Sequence, residues 1–197
     1  MKTVIVITIA LLLGIGLLVA GCAATRGGYA SAPYKVVKKD SGIELRDYPK
    51  LVLVETSTSP SGDGADGSFN RLFRFITGRN EGSQKISMTT PVFMSGGDTN
   101  RSMAFVMPST LKPTDVPKPS DGAVSIREVP EGRFAVLRFK GGRSSEREME
   151  TLSRLKAWIS SQGLQSEEAP VYGYFDPPWT PGFLRRNEVM LRIKGGA

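Results

Sequence analysis

The sequence predicts an α+β fold built from two copies of one β-β-α-β-β unit. The copies are expected to pair about a pseudo-two-fold axis into a curved, mainly antiparallel sheet or distorted barrel that carries two packed helices. Three observations carry this reading. The halves repeat: Ile43-Glu-Leu-Arg-Asp-Tyr-Pro49 matches Val124-Ser-Ile-Arg-Glu-Val-Pro130 in character at each position, and Leu51-Val-Leu-Val-Glu corresponds to Phe134-Ala-Val-Leu-Arg. In the first run of each copy apolar and polar residues alternate, the period of a half-buried strand. Each half also holds one segment of helical periodicity between its strand pairs. Neither unit can bury a one-sided sheet alone, so the two should pack together, with a groove between them as the natural ligand site.

Taken in order, residues 34–37 and 42–48 read as strands joined by a Lys-Lys-Asp-Ser-Gly turn, and 51–57 as a β-branched, apolar strand. A Ser/Gly/Asp loop follows over 59–67. Phe69, Leu72, Phe73 and Ile76 then stand at i, i+3, i+4 and i+7, which places an apolar stripe along one helix face. Arg71 and Arg74 are surface neighbours beside Phe75, away from the centre of that stripe. Gly78 ends the helix. Residues 86–94 are extended and Met-bearing, broken at Thr90-Pro91, and a Gly-Gly-Asp-Thr-Asn turn leads into a strand over 103–107. Residues 108–122 form a proline-punctuated connector. In the second copy, Ser145 and Glu148 are spaced as a capping box, and Met149, Leu152, Leu155 and Ile159 line one helix face that Gly163 ends. Strands over 169–175 and 187–193 complete the repeat.

Composition bounds the chemistry. With 26 Lys and Arg against 19 Asp and Glu, the chain carries +7, suited to phosphate or carboxylate ligands or an anionic membrane surface. The cations occur singly or in pairs such as Lys38-Lys39 and Arg185-Arg186, with no basic block of the kind that binds nucleic acid. Histidine is absent, which removes the usual general base, the Ser-His-Asp triad and the commonest haem-iron ligand. No phosphate loop, zinc spacing or nucleophile motif is present, and the carboxylates Glu44, Asp47, Glu128 and Asp176 show no acid/base spacing, so the expectation is a binding protein and not an enzyme.

The N-terminus has its own logic. Lys2 precedes an apolar run over 4–20 that closes on small residues, the pattern of a secretory signal. Val19-Ala20-Gly21-Cys22 looks like the lipobox of bacterial lipoproteins, and the only cysteine sits where an acyl anchor would be attached. The expected organisation is a signal peptide over 1–21, a lipidated tether over 22–33, and one domain over 34–197 with repeats at about 34–107 and 123–194. Ala23 resembles the residue that sorts such proteins to the outer membrane, so the expected location is the bacterial envelope, lipid-anchored at Cys22 and facing the periplasm. One cysteine permits no intramolecular disulfide.

Five stretches of the body resemble the SOUL haem-binding family in the family's order. They are Tyr34-Lys-Val-Val with Ile43-Glu-Leu-Arg-Asp-Tyr; Phe69-Asn-Arg-Leu-Phe-Arg-Phe-Ile with Gly78-Arg-Asn-Glu; Lys85-Ile-Ser-Met-Thr-Thr-Pro-Val; Met103-Ala-Phe-Val-Met-Pro; and Tyr172-Gly-Tyr-Phe-Asp-Pro-Pro-Trp-Thr-Pro with Arg185-Arg-Asn-Glu-Val. The resemblance implies a duplicated fold shared with bacterial effector-binding domains, and a shallow apolar cleft for haem or another porphyrin, lined by the 69–76 helix. It implies that Arg74 faces the propionates and that Met88, Thr89 and Pro91 lie nearby. A histidine iron ligand, proposed for some members, is impossible here. Residue chemistry agrees: a tetrapyrrole needs apolar area and cations for its two acids. The candidate contacts are Arg71, Arg74, Phe75, Lys85, Met88 and Phe93, with no metal ligand. An envelope interaction module, or a pocket for another hydrophobic acid, is the alternative. Met103 and Met149 are expected in the core, Trp179 either closes a cleft or sits on a rigid loop, and Arg185, Arg186 and Glu188 form an ion-pair cluster.

Overall fold

Two interleaved half-sheets make up the molecule. The computed structural model describes residues 28–59, 66–96 and 101–195, together with Ile7. The rest of the expected signal peptide, Cys22 and the start of the tether lie outside the described residues, as do most of the 59–67 loop and of the Gly-Gly-Asp-Thr-Asn turn. The strands are β1 (Ala30–Ser31), β2 (Lys35–Asp40), β3 (Ile43–Tyr48), β4 (Leu51–Ser57), β5 (Thr89–Thr90), β6 (Val92–Ser95), β7 (Ser102–Val106), β8 (Val124–Val129), β9 (Gly132–Phe139), β10 (Val171–Tyr174) and β11 (Asn187–Arg192). The helices are α1 (Ser68–Ile76) and α2 (Ser145–Ser161).

Nine strands form one antiparallel sheet in the order β2-β3-β9-β11-β10-β6-β7-β4-β8, open at β2 and β8; β1 and β5 pair separately and in parallel. The sequence repeat equates β3 with β8, β4 with β9, β6 with β10 and β7 with β11. Under that equivalence the order from β3 to β8 is palindromic. The pseudo-two-fold passes between β10 and β6, where Phe93 faces Gly173 and Met94 faces Tyr172. The halves exchange their first strands, since β3 pairs with β9 and β8 with β4. Neither half is therefore a complete sheet by itself; the expected α+β architecture is observed, and of its two expected forms the structure takes the open sheet and not the barrel.

Strand alternation sorts the core into two faces. On the helix-covered face Val52, Val54, Met94 and Phe105 pack against Leu72, Phe75 and Ile76 of α1. In the other half Leu137, Val189 and Leu191 pack against Leu155 and Ile159 of α2. The intervening residues Leu51, Leu53, Phe93, Val136 and Met190 form the core of the opposite face. Each buried Leu or Phe contributes about 1.5–3 kcal/mol.

Several expectations shift by a residue or a face. The β2–β3 turn needs only Ser41 and Gly42, both at positive φ (50° and 82°), so Lys38–Asp40 continue the strand instead of turning. Ser144, one residue before the expected cap, caps α2 by accepting the Arg147 amide at 3.3 Å. Met149 is 62% exposed, because Thr151, Leu155 and Ile159 define the buried stripe, whereas Met103 is in the core as expected. The end of the expected tether is attached to the domain: Ala30–Ser31 pairs with Thr89–Thr90, Ala32 donates its amide to the Thr90 carbonyl at 3.0 Å, and the Ala32 side chain is buried.

Candidate binding site

The first helix is turned about its axis relative to the stripe read from the sequence. Ser68, Leu72, Phe75 and Ile76 face the core, with Phe75 only 2% exposed, while Phe69 and Phe73 emerge on the flank. Their rings stack at 6.0 Å and 15°, and Phe69 meets the buried Phe105 edge-on at 5.2 Å. Core packing decides this orientation: a helix of two and a half turns over β4 and β7 sets the small Ser68 close to the sheet and buries Leu72, Phe75 and Ile76 beside it. Arg71 and Arg74 then lie on the other flank.

The guanidinium of Arg71 is committed to structure. It donates to Thr56 Oγ1 at 3.0 Å, to the Ser57 carbonyl at 2.8 Å and to the Asp66 carbonyl at 3.2 Å, tying the start of α1 to the end of β4. Asp66 accepts the amides of Ser59 and Ser68 at 2.6 and 3.0 Å; burial pushes its carboxyl up, but these hydrogen bonds outweigh it and hold the group far below the usual range. Arg74 is exposed, and neither it nor Arg79 has a side-chain hydrogen bond or ion pair among the described residues.

Past α1, Gly78 at φ 113° lets the chain reverse, and the Arg79 amide returns to the Arg74 carbonyl at 2.8 Å. The buried Asn80 then fixes the loop. Its Nδ2 donates to the carbonyls of Phe75 and Gln84, both at 2.7 Å, and its Oδ1 accepts the Gln84 amide at 2.9 Å. The connector folds back onto this loop through an Asn80–Pro119 bridge and a 2.9 Å bond from the Glu81 amide to the Lys118 carbonyl. Asp121 steadies the connector's end by accepting the Ala123 amide at 2.9 Å.

Between helix and connector lies a half-open cleft of about 620 Å³, walled by Arg71, Arg74, Phe75 and Arg79 on one side and by residues 119–122 and Val124 on the other. That size falls within the about 300–1,000 Å³ usual for small-molecule sites. Three guanidiniums face one carboxylate, Asp121. The lining contains no Tyr, Met or Cys, so it offers carboxylate partners and no side chain suited to haem iron. Among the described residues no cluster of His, Cys, Asp or Glu is arranged to hold a metal ion.

Of the six contacts expected from sequence, the cleft thus unites Arg71, Arg74 and Phe75. Lys85 is exposed outside it, and Met88 is half-buried against the α1 core. Phe93 belongs to the opposite sheet face, where it lines a second cavity of about 300 Å³ with Leu51, Leu53, Phe134 and Met190. Strand alternation separates it from Met94, its neighbour on the α1 side. Arg79, Asn80 and the 119–122 wall were not among the sequence candidates. The Gly78-Arg-Asn turn is the local signal that points to them; the connector carries none, because its approach is a long-range contact.

A buried ionic network lies on the helix-free face, beyond the cleft. Arg46, with no solvent exposure, holds Glu188 bidentately at 2.8 and 3.0 Å and Glu44 at 2.8 Å, and its guanidinium lies 4.2 Å over the Tyr34 ring. Arg186 and Arg138 reach Glu188 at 2.6 and 3.1 Å. Burial alone pushes the Glu188 carboxyl up, but the bonds and charge of Arg46, then of Arg186, hold it below its ordinary value. Glu188 with Arg186 matches the expected cluster, while Arg185 instead donates to backbone carbonyls of Pro178 and Thr180. In the other repeat Arg127, the counterpart of Arg46, is half-exposed and paired with Glu55. The network is a feature of one copy, and every buried side-chain polar atom among the described residues is satisfied.

Comparison with solved structures places the architecture. The chain superposes on the EcmrR C-terminal domain with a TM-score of 0.57 at 14% identity, covering 82% of this chain and 98% of that one. It superposes on a hydrolase from Listeria innocua with a TM-score of 0.56 at 10% identity, over 80% and 94% of the two chains. At such identities the likeness is one of fold. By sequence, the chain is similar to Heme-binding protein 2 of Homo sapiens, 30% identical over 170 residues and spanning 81% of this chain and 82% of the relative. It is also similar to Heme-binding protein 1 of Xenopus laevis, 27% identical over 177 residues and 83% and 92% of the two chains. The family model described as SOUL heme-binding protein matches residues 29–192, nearly the whole described body. A duplicated sheet with exchanged strands, a cationic cleft beside its first helix and this end-to-end match agree: the chain belongs to the SOUL heme-binding protein family.

Proposed function

We propose that the chain binds haem or a related porphyrin at the α1 cleft, holding the ligand by its acids and ring and not by its iron. The observation that carries this reading is the pair Arg74 and Arg79, two guanidiniums with no ion-pair partner among the described residues, aimed at one cleft in a protein of this family. Guanidinium recognises carboxylate bidentately and is lightly hydrated, so the two are suited to propionates. The buried Phe75 and Val124 give the cleft an apolar floor, while Phe69 and Phe73 are exposed on the other flank of the helix. When bound, haem would bring an iron centre; the cleft residues position the macrocycle and leave that iron to solvent or small ligands. Binding, and not catalysis, is the role proposed.

The location proposed is the bacterial envelope, lipid-anchored through Cys22 and facing the periplasm, most simply at the outer membrane. The support is the apolar run over 4–20 followed by Val19-Ala20-Gly21-Cys22. Since the donor set selects acids and not iron, other flat amphipathic acids of porphyrin size are competitors. Titration of the full chain in detergent with hemin and with iron-free protoporphyrin IX tests the proposal. Both should saturate with affinities within a few-fold of each other and quench tryptophan emission. Unchanged absorbance and emission with both ligands at micromolar concentration would sink it; binding of hemin alone would sink the claim that iron is not held.

A further inference from the structure

The loop between β10 and β11 presents two large aromatic side chains to solvent from a rigid base. Trp179 is 77% exposed and Phe183 68% exposed, so the tryptophan closes no cleft. The base is fully bonded. Thr180 is buried and its amide donates to the Pro177 carbonyl at 3.0 Å. Arg185 donates to the Thr180 carbonyl at 2.7 Å and to the Pro178 carbonyl, and the Arg186 amide donates to Asp176 at 2.6 Å. Gly182 rests against the Gly141–Gly142 backbone, with its carbonyl accepting the Gly141 amide at 3.0 Å. A loop held this firmly, with Pro177, Pro178 and Pro181 limiting its freedom, could have folded its aromatics inward, yet it carries them outward.

Charge and position indicate what covers them. The touching segments 139–145 and 177–186 contain no acidic residue; of their four cations Arg143 pairs with Glu148, Arg186 with Glu188 and Arg185 with backbone carbonyls, and Lys140 is exposed. The chain's N-terminal part enters at the same end of the sheet. β1 pairs with Thr89–Thr90 just before β6, and the first residue of β6, Val92, faces Tyr174, the residue after which the loop departs. Arg186, at the loop's base, shares Glu188 with Arg46, whose guanidinium lies over the Tyr34 ring. Cys22 precedes Tyr29 by seven residues, so a lipid on that cysteine would lie within about 25 Å of extended chain. The α1 cleft adjoins Val124, which pairs with Thr56 at the far end of β4 and so lies at the opposite end of the sheet.

We infer that the 177–186 loop is a bilayer contact: Trp179 and Phe183 enter the headgroup–acyl boundary of an anionic membrane while the exposed Lys140 beside them meets its phosphates. Tryptophan favours that boundary, where its ring is apolar and its N–H reaches the headgroups. The inference draws on the proposed envelope tether for proximity; its chemistry is the loop's own. With the aromatic end of the sheet seated on lipid, the cleft faces away from the membrane and stays open to ligand.

The test incorporates the full chain into vesicles of phosphatidylethanolamine and phosphatidylglycerol, with and without bromine on the acyl chains, and follows Trp179 in a Trp158→Phe background. Flotation of the same vesicles reports attachment. The inference predicts a blue-shifted emission, most of which brominated lipid removes. Should Trp158→Phe disturb the fold, the difference between the natural chain and Trp179→Phe gives the same reading. Attached chain whose Trp179 emission is indifferent to bromine refutes the bilayer contact and leaves the tether standing. A blue shift without bromine quenching means that protein covers the loop, and refutes it too. Chain that fails to float refutes both contact and tether.

Discussion

Replacing Glu188 by Gln tests whether the Arg46 network holds the two halves together. β3 comes from the first repeat and β11 from the second, and both lie against β9, so the Arg46–Glu188 pair ties the exchanged strand β3 to β11 across that shared neighbour. Both side chains are essentially unexposed, at 0% and 1%. Removing one partner of a buried pair costs about 3–5 kcal/mol. Glu44 still holds Arg46 Nε, so the lower end applies, about 3 kcal/mol, or a fall in Tm of roughly 6–12 °C for a domain of this size. Arg46→Met combined with Glu188→Leu should recover most of that loss, because both desolvation costs vanish together and Arg138 and Arg186 can turn to solvent. The sign with pH follows from the depressed Glu188 carboxyl. Its contribution is complete above its ordinary value of 4.5 and is lost as pH falls through the lower folded value, so the natural protein has an acid-sensitive component that Glu188→Gln lacks. Urea and thermal unfolding of the full chain, followed by far-ultraviolet circular dichroism, measures each quantity. A loss below about 1 kcal/mol, the value of a solvent-exposed pair, would refute the reasoning. So would a double variant as damaged as the single one.

Other outcomes follow from the cleft and the loops. Arg74→Glu should weaken porphyrin binding by about tenfold or more, roughly 1.4 kcal/mol, without lowering thermal stability, since the Arg74 side chain bonds to nothing among the described residues; unchanged hemin affinity would remove the cleft from consideration. Asn80→Ala should cost about 2–3 kcal/mol, from three hydrogen bonds to one buried amide, and weaken porphyrin binding with no change in charge, as read by paired unfolding and titration. Gly141→Ala should destabilise by about 1–3 kcal/mol, because φ is 108° and the new Cβ would lie 2.8 Å from the Arg147 guanidinium. A neutral effect on Tm would show that the turn beneath the aromatic loop yields easily.

Much of the fold was legible because the duplication doubles every signal. Arg46 and Arg127 occupy matching places in Ile-Glu-Leu-Arg and Val-Ser-Ile-Arg, and both runs are strands. The strand exchange was not legible, since local alternation says nothing about which neighbour a strand takes. The same limit explains Arg46, whose burial depends on Glu188, 142 residues away, and not on its own motif. Around α1 the periodicity was right, but its phase was not. Phe69, Leu72, Phe73 and Ile76 make a valid stripe, as do Ser68, Leu72, Phe75 and Ile76, and only the sheet beneath chooses between them. Phe93 failed as a companion to Arg74 for a simpler reason: one residue along a strand is the other side of a sheet. Arg71 and Arg74 look alike in sequence, yet one ties a helix to a strand and the side chain of the other is exposed and unpaired among the described residues.

The most direct test of the central claim, that cleft arginines hold a porphyrin by its acids, is to compare protoporphyrin IX with its dimethyl ester on the full chain by tryptophan quenching. The diacid should bind at least about tenfold more tightly than the ester, a gap of roughly 1.4 kcal/mol, and Arg74→Glu should close it. Equal affinity for acid and ester, with the gap already absent in the natural protein, would contradict the account.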